Sequence, residues 1–141
     1  GVLPDKADEA SLAIGQPLGL AFQLADDLLD VIGSSHNTGK PVGGDIREGK
    51  RTVLLADALT AAGTSERAEL ISMFEAPSRN EDQVRRAIAL FRVTGAVDRS
   101  RERITSLWEQ SQAAIRSLHL DPANEERLTT ACARFIPETL R

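Results

Sequence analysis

Apolar positions recur at helical spacing along nearly the whole chain, and strand-like alternation is scarce. Leu18, Phe22, Ala25, Leu29 and Ile32 follow one another at steps of four, three, four and three, one face of a helix predicted over about Asp8–Ile32. Pro17 lies inside that span. It lacks a backbone donor and crowds the preceding turn, so a kink or a split near Gln16 is expected. Gly33 and a polar run close the helix, and the glycine-rich segment from Ser34 to Gly49 is too irregular to predict as helix or strand. Helical patterns resume at about Thr52–Ala62, Glu66–Phe74 and Glu81–Arg92, and after Gly95 a longer helix covers about Ala96–Leu118. Thr64 or Ser65, and Asn80 ahead of two acids, are the expected N-caps. Asp121 followed by Pro122 reads as the cap and first residue of a terminal helix.

Alanine, leucine, glutamate and arginine dominate and tyrosine is absent, so the expected fold class is all-α. At 141 residues the chain fits one domain with a substantial core. No repeat, low-complexity tract or linker marks a second domain. A formal net charge of −4 argues against a nucleic-acid partner, which calls for a basic face. No apolar run approaches the roughly 20 residues of a membrane span. The opening GVLPDKADEA has neither the basic lead nor the apolar core of a secretory signal. The single cysteine, Cys132, cannot form an internal disulfide and is expected to be a small core hydrophobe on the last helix. A cytoplasmic location is compatible with that usage.

The chemistry concentrates between Phe22 and Lys50. Asp26 and Asp30 are one helical turn apart, and Asp27 reaches the same neighbourhood through its three-residue step to Asp30. Carboxylates gathered this closely repel by a few kcal/mol per pair, on the order set by an effective dielectric near 20, unless a cation intervenes. A solvated acidic face is the plain alternative. Phe22, Ala25, Leu28, Leu29, Val31 and Ile32 leave little other polar surface, however, so the helix is expected to be buried on most sides and its acids to need partners. An oxygen-liganded divalent cation is the natural one, and magnesium, which keeps waters and takes substrate phosphates, matches best.

Gly44–Lys50 reads GDIREGK, the first seven positions of a phosphate loop, but Arg51 stands where that loop requires serine or threonine. A phosphate-loop NTPase is therefore set aside. Glycines still allow close approach of backbone to an anion, and Lys40, Arg47, Lys50 and Arg51 supply charge for one, with ordinary surface solvation the alternative for both arginines. Acids for a hard cation beside lysines for an oxyanion point to a metal-bound di- or triphosphate.

Phe22-Gln23, Asp26-Asp27-x-x-Asp30 and Gly39-Lys40-Pro41-x-Gly43-x-Asp45-x-x-x-Gly49-Lys50 together resemble the block around the second aspartate-rich motif of the trans-isoprenyl diphosphate synthases. The TVLLADAL run after Lys50 and the TGAV start of the long helix also look familial. The resemblance implies an isoprenoid-synthase-type helical bundle. It implies a magnesium-dependent prenyltransferase, in which an allylic diphosphate ionises and isopentenyl diphosphate attacks the resulting cation. By similarity Asp26 would ligate Mg2+ directly, and Asp27 and Asp30 would act directly or through water. Lys40 and Lys50 would bind the allylic diphosphate and offset charge on the leaving group. Asp45 would support Lys40 or a water of the magnesium shell, and Phe22 and Gln23 would line the substrate side. His36 and His119 are expected to be surface residues rather than catalysts.

A complete synthase has a first aspartate-rich motif and an earlier basic segment for isopentenyl diphosphate, and neither occurs in these 141 residues. The expectation is therefore the carboxy-terminal part of one isoprenoid-synthase domain, residues 1–141, inactive alone and lacking its amino-terminal half as partner. That half would cover apolar stripes left exposed here. Dimerisation follows only from the family. The other readings are a non-catalytic small subunit of a full-length synthase, a terpene cyclase and a plain helical interaction module.

Overall fold

The computed structural model describes residues 4–33 and 42–141. Those residues form helices and no strand, as the spacing predicts. The helices are α1 (Pro4–Ile32), α2 (Gly44–Arg47), α3 (Val53–Ala61), α4 (Thr64–Glu75), α5 (Glu81–Val93), α6 (Ala96–Arg116) and α7 (Pro122–Ala133), with a 3-10 turn at Glu138–Leu140.

Helix α1 begins earlier than predicted and is not split, because Pro17 sits within one continuous 29-residue helix. A single proline removes one ladder bond and leaves the flanking ones to carry the helix. Its buried stripe also differs from the predicted one. Ala21, Leu24, Ala25, Leu28 and Val31 are buried, whereas Phe22 is exposed and Leu18, Leu29 and Ile32 are half-buried. The helix carries two overlapping apolar stripes, and the one with the smaller residues is the one that packs. Far from being buried on most sides, α1 leaves Leu12, Leu20, Phe22, Gln23 and Asp26 exposed.

The predicted caps hold at two helix starts. Asn80 and Gln83 form a reciprocal capping box at α5. The Asp121 carboxylate accepts from the Asn124 amide at 2.9 Å, with Pro122 opening α7. At α4 neither Thr64 nor Ser65 caps the helix; Gly63 takes that position with no side-chain bond. Among the described residues the chain separates into two compact units. One comprises the residues up to Ala25 together with Glu102–Arg141, and the other is Asp26–Arg101.

In the first unit Ile104, Trp108, Ile115, Cys132, Ile136 and Leu140 are buried. The Ser111 hydroxyl donates to the Ile14 carbonyl at 3.2 Å. Phe22 and Phe135 meet edge to face with centroids 6.2 Å apart. In the second unit α2, α3 and α4 all pack on α5, and α3 also packs on α4. Leu54, Leu70, Val84, Leu90 and Phe91 fill its core.

Several helix ends are closed by guanidinium groups. Arg67 donates to the Leu59 and Ala62 carbonyls at 2.9 and 3.2 Å, and Arg99 donates to those of Asp57 and Thr94 at 3.1 and 3.2 Å. The Leu59, Ala62 and Thr94 carbonyls lie in the last turn of α3 or just beyond α3 and α5, where the helix itself offers no donor.

Candidate functional site

The segment Gly44–Arg47, predicted to be irregular, folds into one helical turn, α2. Contacts from far along the chain hold it. The Gly43 amide donates to the Asp30 carbonyl at 2.8 Å, and the Asp45 amide donates to the Asp30 carboxylate at 3.0 Å. Gly43 adopts φ +84°, and a Cβ there would stand 2.5 Å from Val84 Cγ1. Only glycine lets α5 approach this turn so closely. Arg47 forks onto both Glu81 carboxylate oxygens at 2.6 and 2.7 Å and donates to the Val42 carbonyl at 2.8 Å. It is therefore tied into the fold, not merely solvated.

The turn carries Asp45 and delivers Lys50 to the end of α1. The Lys50 amide donates to the Asp45 carbonyl at 2.8 Å. Its ammonium lies 3.5 Å from the Asp27 carboxylate and 3.9 Å from that of Asp45. Asp45 first, then Asp27, pushes the Lys50 pKa above its ordinary value, so the group stays cationic at neutral pH. Lys50 is 46 % exposed while Asp27 is 8 % exposed, so the ammonium is anchored from below and open above. Asp30 is half-buried. Burial raises its pKa, Asp45 adds to the rise, and amide donation from Asp45 and Gly44 opposes it.

The three aspartates near the end of α1, Asp26, Asp27 and Asp30, do not converge on one point. Asp26 is exposed, Asp27 turns to Lys50 and Asp30 turns to the Asp45 amide. Residues 26 and 27 diverge by about 100° around a helix of 3.6 residues per turn. Among the described residues no three His, Cys, Asp or Glu side chains form a ready-made metal cage. Phe22 and Gln23 are exposed residues of the first unit. Lys40 and His36 lie outside the described residues. His119 is exposed with φ 51° just past the end of α6, in keeping with a surface role.

One contact left no trace in the sequence. Arg79 donates to the Arg47 carbonyl through Nε and Nη2 at 3.3 and 3.2 Å, and through Nη1 to the Met73 and Ala76 carbonyls at 3.0 and 2.8 Å. An arginine in a polar link carries no local signal that its partner lies 32 residues earlier.

Residues 2–91 match the sequence profile described as polyprenyl synthetase. The chain belongs to that family. The all-α arrangement of this chain corresponds to a portion of the helical bundle seen in its structural neighbours. It is 33% identical over 128 residues to the geranylfarnesyl diphosphate synthase of Aeropyrum pernix, covering 91% of this chain and 39% of that protein. It is 44% identical over 84 residues to a short chain isoprenyl diphosphate synthase of Methanothermobacter thermautotrophicus, covering 60% of this chain and 25% of the relative. The crystal structure of a geranylgeranyl pyrophosphate synthase from Corynebacterium glutamicum, complexed with isoprenyl diphosphate and magnesium, is similar at a TM-score of 0.80 and 35% identity. That match covers 90% of this chain and 36% of the other. The chain thus spans well under half the length of these relatives, 39%, 25% and 36% respectively.

Proposed function

We propose that this chain forms one wall of the metal–diphosphate site of a prenyltransferase that condenses isopentenyl diphosphate with an allylic diphosphate. The observation that carries the reading is the Lys50 ammonium held between Asp27 and Asp45, half-exposed beside the acidic end of α1. A fixed cation of this kind stabilises pyrophosphate more as its charge develops than in the bound substrate, because no reorganisation is needed when the C–O bond breaks. Lys40 is assigned the same task by similarity.

The donor set fits Mg2+. Asp26 offers a hard, exposed oxygen ligand, and an ion that completes its shell with water and phosphate needs no closed protein cage. Asp27 and Asp30 would complete the acidic side directly or through water. Asp45 keeps Lys50 oriented, and Phe22 and Gln23 are assigned to the prenyl side. Bound Mg2+ supplies the divalent charge that a departing pyrophosphate requires.

The reading includes an amino-terminal half as partner, of which residues 1–141 are the carboxy-terminal complement within one domain. Exposure of Leu12 at 56 %, Leu20 at 59 % and Phe22 at 49 % on α1 supports that part, because apolar surface of this kind is a cost unless something covers it. The chain alone is therefore assigned no elongation activity. A cytoplasmic homodimer is the proposed setting of the whole enzyme, and no described helix is long and apolar enough to cross a membrane.

Calorimetric titration of inorganic pyrophosphate with and without Mg2+ tests the reading. Binding that requires Mg2+ and is lost in Asp26→Ala is expected. Equal binding by both chains, or none by the parent, refutes it. Prenyl product from the chain alone with Mg2+ and both substrates refutes the incompleteness.

A further inference from the structure

Helix α2 is four residues long. A single turn does not sustain itself, since fixing its dihedrals costs more than its few bonds return. Its C-terminal carbonyl, that of Arg47, faces Arg79, which gives it two donors at 3.3 and 3.2 Å. The same guanidinium reaches the carbonyls of Met73 and Ala76 at the end of α4 at 3.0 and 2.8 Å. One rigid fork thus fastens the loose end of α2 to the end of a 12-residue helix. The cationic plane also lies against Gly49, which has φ +74° and where a Cβ would stand 2.9 Å from Arg79 Nη2. Gly49 leaves the room the guanidinium occupies, and the next side chain along is Lys50.

We propose that Arg79 is a positioning residue that sets where the Lys50 ammonium stands. The proposal rests on the diphosphate reading of the site, and it adds a residue that touches neither substrate nor metal. Lysine cannot replace it, because a single ammonium on a flexible stem cannot span acceptors on two elements in a fixed fork.

The test compares Arg79→Ala and Arg79→Lys with Arg67→Ala in the 141-residue chain. Arg67 closes α3 in the same chemical way but has no bond to α2. Two quantities are read below the melting transition. The first is hydrogen exchange at the Gly49 and Lys50 amides without ligand, and the second is the affinity for inorganic pyrophosphate with Mg2+. Both Arg79 variants should speed exchange at those two amides and weaken pyrophosphate binding about tenfold, the lower end of the effect of removing a residue that orients a ligand. Arg67→Ala should change neither, although it lowers the melting temperature. If Arg79→Ala does not fold, Arg79→Lys carries the comparison. Exchange at Gly49 and Lys50 that is no faster in the Arg79 variants than in Arg67→Ala overturns the proposal. So does an affinity loss of equal size in all variants. If the parent binds no pyrophosphate, the diphosphate reading fails by itself, and the exchange rates decide whether Arg79 holds Lys50.

Discussion

Gly43→Ala should be among the most destabilising small changes available to this chain. Gly43 has φ +84°, a region in which an L residue sits at a cost of about 1–2 kcal/mol. The added Cβ would stand 2.5 Å from Val84 Cγ1 and 3.6 Å from Ile88 Cδ1. Carbon atoms prefer roughly 3.5–4.0 Å, so the first contact overlaps by about an ångström. Val84 cannot swing away, because it is 2 % exposed and a β-branched residue in a helix keeps one rotamer. Overpacking of this kind costs about 1–3 kcal/mol, which brings the total to about 2–5 kcal/mol. The shift would also disturb the bond from the Gly43 amide to the Asp30 carbonyl, so the turn that carries Asp45 should loosen. Urea unfolding followed by helical ellipticity measures the loss. Gly19→Ala is the internal control: it lies inside α1 with nothing within 4 Å of the added carbon, and should gain about 0.8–1 kcal/mol. The double variant with Val84→Ala should recover the overlap but not the dihedral cost, giving a coupling of about 1–3 kcal/mol. A loss below about 1 kcal/mol for Gly43→Ala, or a coupling of zero, would refute the reasoning.

Asp30→Asn should stabilise the chain at pH 7 while weakening Mg2+-dependent pyrophosphate binding. Burial holds the Asp30 pKa above its ordinary value, so the folded chain binds more protons than the unfolded one, and stability falls as pH rises from about 4. The melting temperature should therefore rise at pH 7 and show no gain at pH 3; a drop at pH 7 would contradict this. Asn80→Ala removes the carboxamide oxygen that accepts from the Gln83 amide and should cost about 1 kcal/mol in urea unfolding, whereas Asn80→Asp should lose little. Burial pushes the Cys132 thiol up, so a thiol reagent at pH 8 should modify it only on unfolding, and stability should decline from about pH 8.5 upward as the unfolded thiol ionises. Rapid modification of the native chain would show that the site is open.

Local signals were legible in the sequence and distant ones were not. Asn80 ahead of Glu81 and Asp82, and Asp121 with Pro122, announce helix starts because the bonds they make close within three residues. The aspartate and glycine–lysine spacing pointed to the Asp27–Lys50 neighbourhood, since a helix and one turn fix most of it. The buried face of α1 was not legible, because two apolar stripes overlap on it and the choice belongs to the partners. Nor was α2, a turn whose stability comes from Asp30 and Arg79 rather than from its own four residues. The three carboxylates shared a face in sequence terms, yet two of them have protein partners, which spacing alone does not reveal.

The guanidinium groups that close α3, α4 and α5 have a consequence for how the chain responds to solutes. Arg67, Arg79 and Arg99 satisfy backbone carbonyls with a cation that no accessible pH neutralises, so alkali should leave these fastenings intact. A dissolved guanidinium ion offers the same donors in the same plane. It can take each arginine's place at the carbonyl, whereas sodium cannot. Guanidinium chloride should therefore loosen the second unit at concentrations where equal ionic strength of sodium chloride does nothing. The ends of these helices are thus sensitive to the chemical identity of a salt rather than to its screening.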